Sequence, residues 1–238
     1  MKKLHIALLS LLAIATSSCD DFLDVRPKGE QVENDQFSTP KGFEDAIYGI
    51  YGYMTEDALY GKDMVWGVAE ILSQDLRCDD TFGTDLGKYD YKSNSSTRSR
   101  FLDMWTKSYE AIGYTNNALK NLEQKSPESL PLHDFYKAEL LGLRAMLHFD
   151  LLRYFAPTDP AKRGIPYVKT FNFSVKPFST VGECFEFIIA DLTEAESLLK
   201  DKEVLVYPRD NDQYDRFLNW RETHMNLHAV RALLARVY

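Results

Sequence analysis

Two consecutive helical stripes, separated by a short polar break, set the tightest limit on what this chain can fold into. From Arg100 to Gln124 the apolar positions Phe101, Trp105, Tyr109, Ile112, Leu119 and Leu122 recur at helical spacing, and from 131 to 155 Phe135, Ala138, Leu141, Ala145, Phe149 and Leu152 do the same. Helices joined by so short a break return on one another as an antiparallel hairpin. Pro157 and Pro160 then stop the second helix, because proline lacks the N–H that the ladder needs. The class this predicts is mainly α.

Shorter signals extend the pattern in both directions. Thr39-Pro40 supplies an N-cap and a first-turn proline for a helix whose inner face is Phe43, Ile47, Ile50, Tyr51 and Met54. A second helix is expected from Lys62 to Leu76, carrying Met64, Val65, Val68, Ile71 and Leu72. After the hairpin, Ile165-Pro166-Tyr167-Val168 reads as extended, and Thr180 with Glu183 forms a capping box for a helix to Leu199 with Val181, Phe185, Ile188, Leu192 and Ala195 inward. Thr223 is expected to open NLHAVRALLARVY, which reaches Tyr238 without a C-cap, so the domain over 39–238 is expected to be truncated at its C-terminus. The Ala145-x-x-x-Phe149 spacing with prolines soon after resembles the tetratricopeptide repeat, in which a small residue lets two helices approach closely.

The first residues make a separate segment. Met1-Lys2-Lys3 precedes an apolar block from Leu4 to about Ala15, which is shorter than the ~20 residues a membrane-spanning helix needs. A basic start, an apolar middle and the small residues Thr16-Ser17-Ser18 before Cys19 mark residues 1–18 as a signal peptide. Cys19 in that place resembles the lipidated cysteine of the bacterial lipobox, and acyl chains there would hold the protein on a leaflet with the rest in water. Residues 19–38, polar and without period, are expected to be a tether. The net charge of −8 becomes −10 once Lys2 and Lys3 leave with the signal peptide, which disfavours nucleic acid and direct attraction to anionic lipid. Cys78 and Cys184, 106 positions apart, carry no disulfide or metal spacing and read as free thiols, Cys184 inside a helix core.

Taken in order, SCDDFLDVRP, WTKSYEAIGYTNNAL, KAELLGLRAMLHFDLLRYFA, and CFEFIIADLTEAESLL leading to LHAVRALLARVY resemble the SusD/RagB family of Bacteroidetes outer-membrane lipoproteins. The resemblance implies a largely helical fold with tetratricopeptide-like pairs and long loops. It also implies capture of a glycan at the cell surface for a SusC-like TonB-dependent transporter, without cleavage and without a cofactor. Acidic residues directly after the lipidated cysteine, here Asp20 and Asp21, would mark such a protein for surface export. Ala156 stands where the family often has glycine, a difference confined to a loop.

Between Arg77 and Arg98 the apolar period is lost in RCDDTFGTDLGKYDYKSNSSTR, a loop too long to serve only as a connection. Residues 75–91 are the candidate ligand site, with Asp75, Arg77, Asp79, Asp80, Lys88, Tyr89 and Tyr91. Sugars suit such a mixture, since their C–H faces stack on rings while charged groups take hydroxyls in paired hydrogen bonds. Trp105 and Tyr109 read as core, and Trp66 and Trp220 are open. Glu70, Asp75, Asp79 and Asp80 supply carboxylates of the type glycoside hydrolysis uses, but no catalytic motif surrounds them. His224 and His228 lack the glutamate of a zincin motif, Met225 standing in its place, and DNDQYD at 210–215 lacks an EF-hand glycine. Two readings follow: a glycan-capturing surface lipoprotein, and a tetratricopeptide-like scaffold that binds a peptide or protein.

Overall fold

The computed structural model describes residues 33–172, 174–202 and 216–238. Residues 1–36 form one unit, of which a helical turn at Glu33–Gln36 is described, and Phe37–Tyr238 form a second, compact unit. Among the described residues the second unit has seven α-helices: α1 Pro40–Met54, α2 Val68–Leu72, α3 Thr81–Gly87, α4 Ser95–Leu122, α5 His133–Phe155, α6 Val181–Leu199 and α7 Leu227–Val237. Among the described residues there is no strand beyond an isolated bridge between Arg163 and Thr180.

Local signals produce the elements they promise. Thr39 accepts from the Gly42 N–H at the start of α1, and Phe43, Ile47, Ile50 and Met54 are buried. Phe37, inside the expected tether, is buried with its ring 5.0 Å from that of Phe43, so packing begins two residues before Thr39. The capping box of α6 has both of its bonds, from the Thr180 side chain and from Glu183. Segment 164–168 is extended, with Gly164 N–H donating to Ser179 O at 2.8 Å and Ser179 N–H to Ile165 O at 3.0 Å.

Four expectations need correction. The helix expected over Lys62–Leu76 is a π-helical turn at Asp63–Gly67 followed by α2, which stops at Leu72 because Gln74 takes a left-handed φ of 64°. Val65 consequently faces solvent. The stretch 77–98 is not one loop, since α3 lies inside it and α4 begins at Ser95 with Asn94 as its cap, five residues before Arg100. Finally, Thr223 closes a 3-10 turn, and α7 starts after Asn226, whose side chain accepts from the Ala229 N–H.

The helical hairpin is antiparallel, as Trp105 on α4 meets Phe155 on α5 at 5.2 Å while Asn116 meets Arg144 at 3.0 Å. A second antiparallel pair follows, with Lys137 facing Glu194, Arg144 facing Asp191, and Phe149 facing Phe185. Helix α5 therefore lies inside a sheath of α1, α4, α6 and α7. Buried on nearly all sides, with Arg153 near its C-terminal end as its one exposed residue, it needs no continuous polar face. At Gly142 a Cβ would fall 2.4 Å from Met225 Cγ, so the segment leading to α7 lies directly on this helix. Cys184 is buried under Ile165, Cys78 is half-buried, and both are free thiols.

Four buried polar residues interrupt this helix, Glu139, Arg144, His148 and Asp150, and each has its partners, the last in the Tyr60 hydroxyl and Arg153. Glu139 is fully buried and takes Arg221 Nη1 at 2.7 Å, the Tyr51 hydroxyl at 2.7 Å and His224 Nδ1 at 2.9 Å. His224, Arg221 and the phenol outweigh its burial and hold its pKa below the ordinary range. Tyr51 in turn accepts from the Met225 N–H at 2.7 Å, which ties α1 to the approach to α7. Arg144 grips Asp191 through two bonds, at 2.7 and 2.8 Å, and Tyr167 donates to the same carboxylate at 2.7 Å. His148 donates from Nδ1 to Arg144 O at 2.8 Å and accepts at Nε2 from the Val168 N–H at 3.0 Å, a pairing that only the neutral ring can make. Burial pushes its pKa down to about 3.

Candidate functional site

A second, smaller core carries the region singled out in the sequence. Phe82 and Leu86 of α3 pack with Leu59, Met64, Val68, Ile71 and Met104. Asp80 caps α3 by accepting from the Gly83 N–H at 2.6 Å, and a Cβ on Gly83 would sit 2.3 Å from that of Cys78, so the preceding turn presses on the helix. Asp63 takes Arg100 Nε at 2.7 Å, and the guanidinium lies 3.9 Å over the Phe82 ring, which fastens the π-turn and α3 to α4. Between α3 and α4, Asp90 Oδ1 accepts from the Lys92 and Ser93 N–H groups at 3.1 and 3.0 Å. Hydrogen bonds from Ser93 and this turn hold the Asp90 carboxyl below its usual range.

Two clefts open on this scaffold. The first, of about 320 Å³, is lined by residues 71–87 and includes Gln74, Arg77, Asp79 and Thr84. The second, of about 410 Å³, has Leu72, Tyr91, Phe101, Tyr154 and Phe155 as walls, with Lys92 and Arg98 beside them. Tyr91 stands edge-on to Phe101 at 5.6 Å and 90°, and Phe101 stands edge-on to Phe155 at 6.4 Å and 86°. Tyr154 donates to Met64 O at 3.1 Å, so its ring is fixed, and burial raises its pKa. The volume of the second cleft falls within the ~300–1,000 Å³ of small-molecule sites.

The seven candidate residues are divided between these surroundings. Arg77 and Asp79 line the first cleft and pair with each other at 3.1 Å. At 91% and 86% exposure that pair adds little stability. Tyr91 belongs to the second cleft. The other four line neither: Asp75 accepts from the Ser73 hydroxyl, Asp80 caps α3, and Lys88 is the exposed residue after α3. Tyr89, in a left-handed turn at φ 55°, accepts from Gln74 Nε2 at 3.1 Å. The two tyrosines thus do not line one cleft.

Leu72, Lys92, Arg98, Phe101, Tyr154 and Phe155, all outside the candidate stretch 75–91, line the second cleft with Tyr91. The signal available was an aromatic pair, Tyr154-Phe155, at the very end of a helix where the chain leaves the core. Trp105 and Tyr109 pack as expected, with Trp105 against Phe155 and the Tyr109 hydroxyl donating to Pro166 O at 2.8 Å. Trp66 and Trp220 are both exposed. His224 is held beside Glu139 and among the rings of Tyr48, Tyr51 and Phe217, while His228 is exposed on α7. Among the described residues no group of three or more His, Cys, Asp or Glu is placed to hold a metal, and residues 210–215 lie outside them. Cys19 also lies outside the described residues.

Comparison with known proteins fits this helical scaffold. A family model described as SusD-like, "Starch-binding associating with outer membrane", matches residues 21–238. The chain belongs to the SusD-like family. It is 27% identical over 212 residues to the SusD-like protein P38 of Formosa agariphila, covering 83% of this chain and 38% of that protein. Among solved structures, a SusD superfamily protein of Bacteroides thetaiotaomicron superposes with a TM-score of 0.63 at 22% identity, covering 84% of this chain and 42% of the other. A SusD-like carbohydrate binding protein of Bacteroides vulgatus gives 0.57 at 19% identity, over 84% and 41%. At these identities the likeness establishes the SusD-like fold, and the chain spans about two-fifths of the length of these relatives.

Proposed function

We propose that this SusD-like protein is a lipid-anchored receptor of the outer membrane that binds a glycan and delivers it to a SusC-like TonB-dependent transporter. Membership of a family described as starch-binding and associated with the outer membrane carries the reading. The aromatic cleft supports it, because a pyranose presents a C–H face to a ring and its hydroxyls to neighbouring polar groups. Cys19, after an apolar segment and three small residues, is the proposed attachment point for lipid. Binding rather than bond cleavage accounts for the acids near the cleft: Asp80 and Asp90 hold backbone N–H groups, and Asp79 faces Arg77.

Affinity electrophoresis of the intact protein through gels containing a panel of polysaccharides tests the binding step. Retardation by at least one polysaccharide, relieved in Tyr91→Ala, is the expected result. No retardation by any of them, together with co-purification of a protein other than a TonB-dependent transporter, would favour the scaffold reading instead. Fatty-acid labelling tests the anchor: label and membrane association should be lost in Cys19→Ala, and their retention would remove Cys19 from the proposal.

A further inference from the structure

The second cleft differs in charge from the protein around it. The sequence has 36 acidic and 28 basic residues, yet the charged residues that line this cleft are Lys92 and Arg98, with no Asp or Glu among its walls. Neither cation is compensated. Arg98 donates through Nη1 to the Lys92 carbonyl, and among the described residues neither side chain has an ion-pair partner. Nearby carboxylates are engaged elsewhere: Asp90 with the backbone of its own turn, Asp63 with Arg100, and Asp150 with Arg153 and the Tyr60 hydroxyl.

Hydroxyls of a neutral sugar are met by carboxylates and amides as well as by cations, so a lining whose only charged groups are two cations without ion-pair partners favours a ligand of opposite charge. A cation beside an aromatic wall suits a ring that carries negative charge. We infer that the second cleft takes an anionic saccharide, a sugar bearing a carboxylate or sulfate, with its ring against the Tyr91 and Phe101 side of the cleft and its anion on Arg98 and Lys92. This rests on the glycan-binding reading and narrows its ligand class. Guanidinium and ammonium groups make charge-assisted hydrogen bonds to such anions, and guanidinium makes them two at a time. The negative charge of the whole protein repels a polyanion at long range, so retention of an acidic polymer must come from a local site.

Affinity electrophoresis and calorimetry with four polymers separate the cases: polygalacturonic acid, a sulfated galactan, and neutral galactan and starch as uncharged counterparts. The expected result is retardation by at least one acidic polymer, with Kd raised about tenfold or more in the Lys92→Gln/Arg98→Gln variant. Lys200→Gln, after α6, should bind as wild type. The single Lys92→Gln change, at an exposed turn position, keeps the test open if the double variant melts early, and it too must weaken acidic binding. Which acidic polymer binds distinguishes carboxylate from sulfate. Retardation by neutral polymers only, or acidic binding that survives removal of both cations, overturns the anionic assignment and leaves glycan capture standing. If no polysaccharide in this set or the wider panel binds, both fail.

Discussion

Acid should destabilise this protein partly through one imidazole. His148 is fully buried, and both of its ring nitrogens are committed in a way that only the neutral form satisfies. Its pKa falls from 6.5 to about 3, first through burial and then through Arg144 nearby, against the opposing influence of the Arg144 carbonyl and Asp191. Because the folded value lies below the unfolded one, the unfolded chain binds the extra proton as pH falls. The contribution is therefore complete above the unfolded pKa and is lost progressively between about pH 6.5 and 3. From pH 7.5 to 4.5 the loss is close to two pKa units, or about 2.7 kcal/mol at 1.36 kcal/mol per unit. Urea denaturation of wild type and His148→Gln at both pH values isolates it, since an amide can replace the two hydrogen bonds but does not titrate. Carboxylate contributions are common to both proteins and cancel. Wild type should lose about 2.7 kcal/mol more than the variant on acidification. Parallel losses would refute the argument, because they would mean that the ring either protonates in place or is not sealed from water.

Glu139→Ala removes the buried carboxylate that Arg221, His224 and Tyr51 share, and should cost about 3–5 kcal/mol in chemical denaturation. A loss below about 1 kcal/mol would show that the cluster relaxes or hydrates. Asp80→Ala deletes the α3 cap and should lower stability by about 1 kcal/mol with little change in glycan retardation, and a loss of binding at full stability would instead make Asp80 a ligand residue. Tyr91→Ala removes the edge-on contact with Phe101, about 0.5–1.5 kcal/mol beyond its area, and should weaken glycan binding several-fold; Tyr89→Ala, outside both clefts, should leave binding unchanged in the same gels.

What could be read from the sequence was what is decided within a turn or two. Thr39-Pro40 and Thr180/Glu183 act on backbone groups three residues away, and the stripes of α4, α5 and α6 repeat often enough to be unmistakable. Helix α3 escaped because its seven residues include two glycines, two threonines and an aspartate, leaving only Phe82 and Leu86 as apolar signal. The π-turn at 63–67 has no sequence signature of its own, and Thr223 and Asn226 are equally good caps on composition alone. At the candidate site, residue types were legible but their grouping was not. Tyr89 and Tyr91 sit two apart, yet a left-handed turn at Tyr89 sends them to different neighbours. The cleft is completed by Tyr154 and Phe155, far along the chain, and such closure depends on how α5 lies against α4.

Helix α5 has to lie there in one position only. Glu139, Arg144 and His148 act as three keys cut at unequal intervals along an otherwise greasy rod. Sliding the rod by one turn, about 5.4 Å, would still place leucine against leucine in most of its sheath. It would, however, draw every key from its lock at once: a carboxylate from Arg221, a guanidinium from Asp191, an imidazole from the Val168 amide. Intermediate settings are therefore forbidden. Tyr154 and Phe155, at the far tip, inherit that indexing, so the cleft wall they form is aligned by polar groups buried about two to four helical turns away.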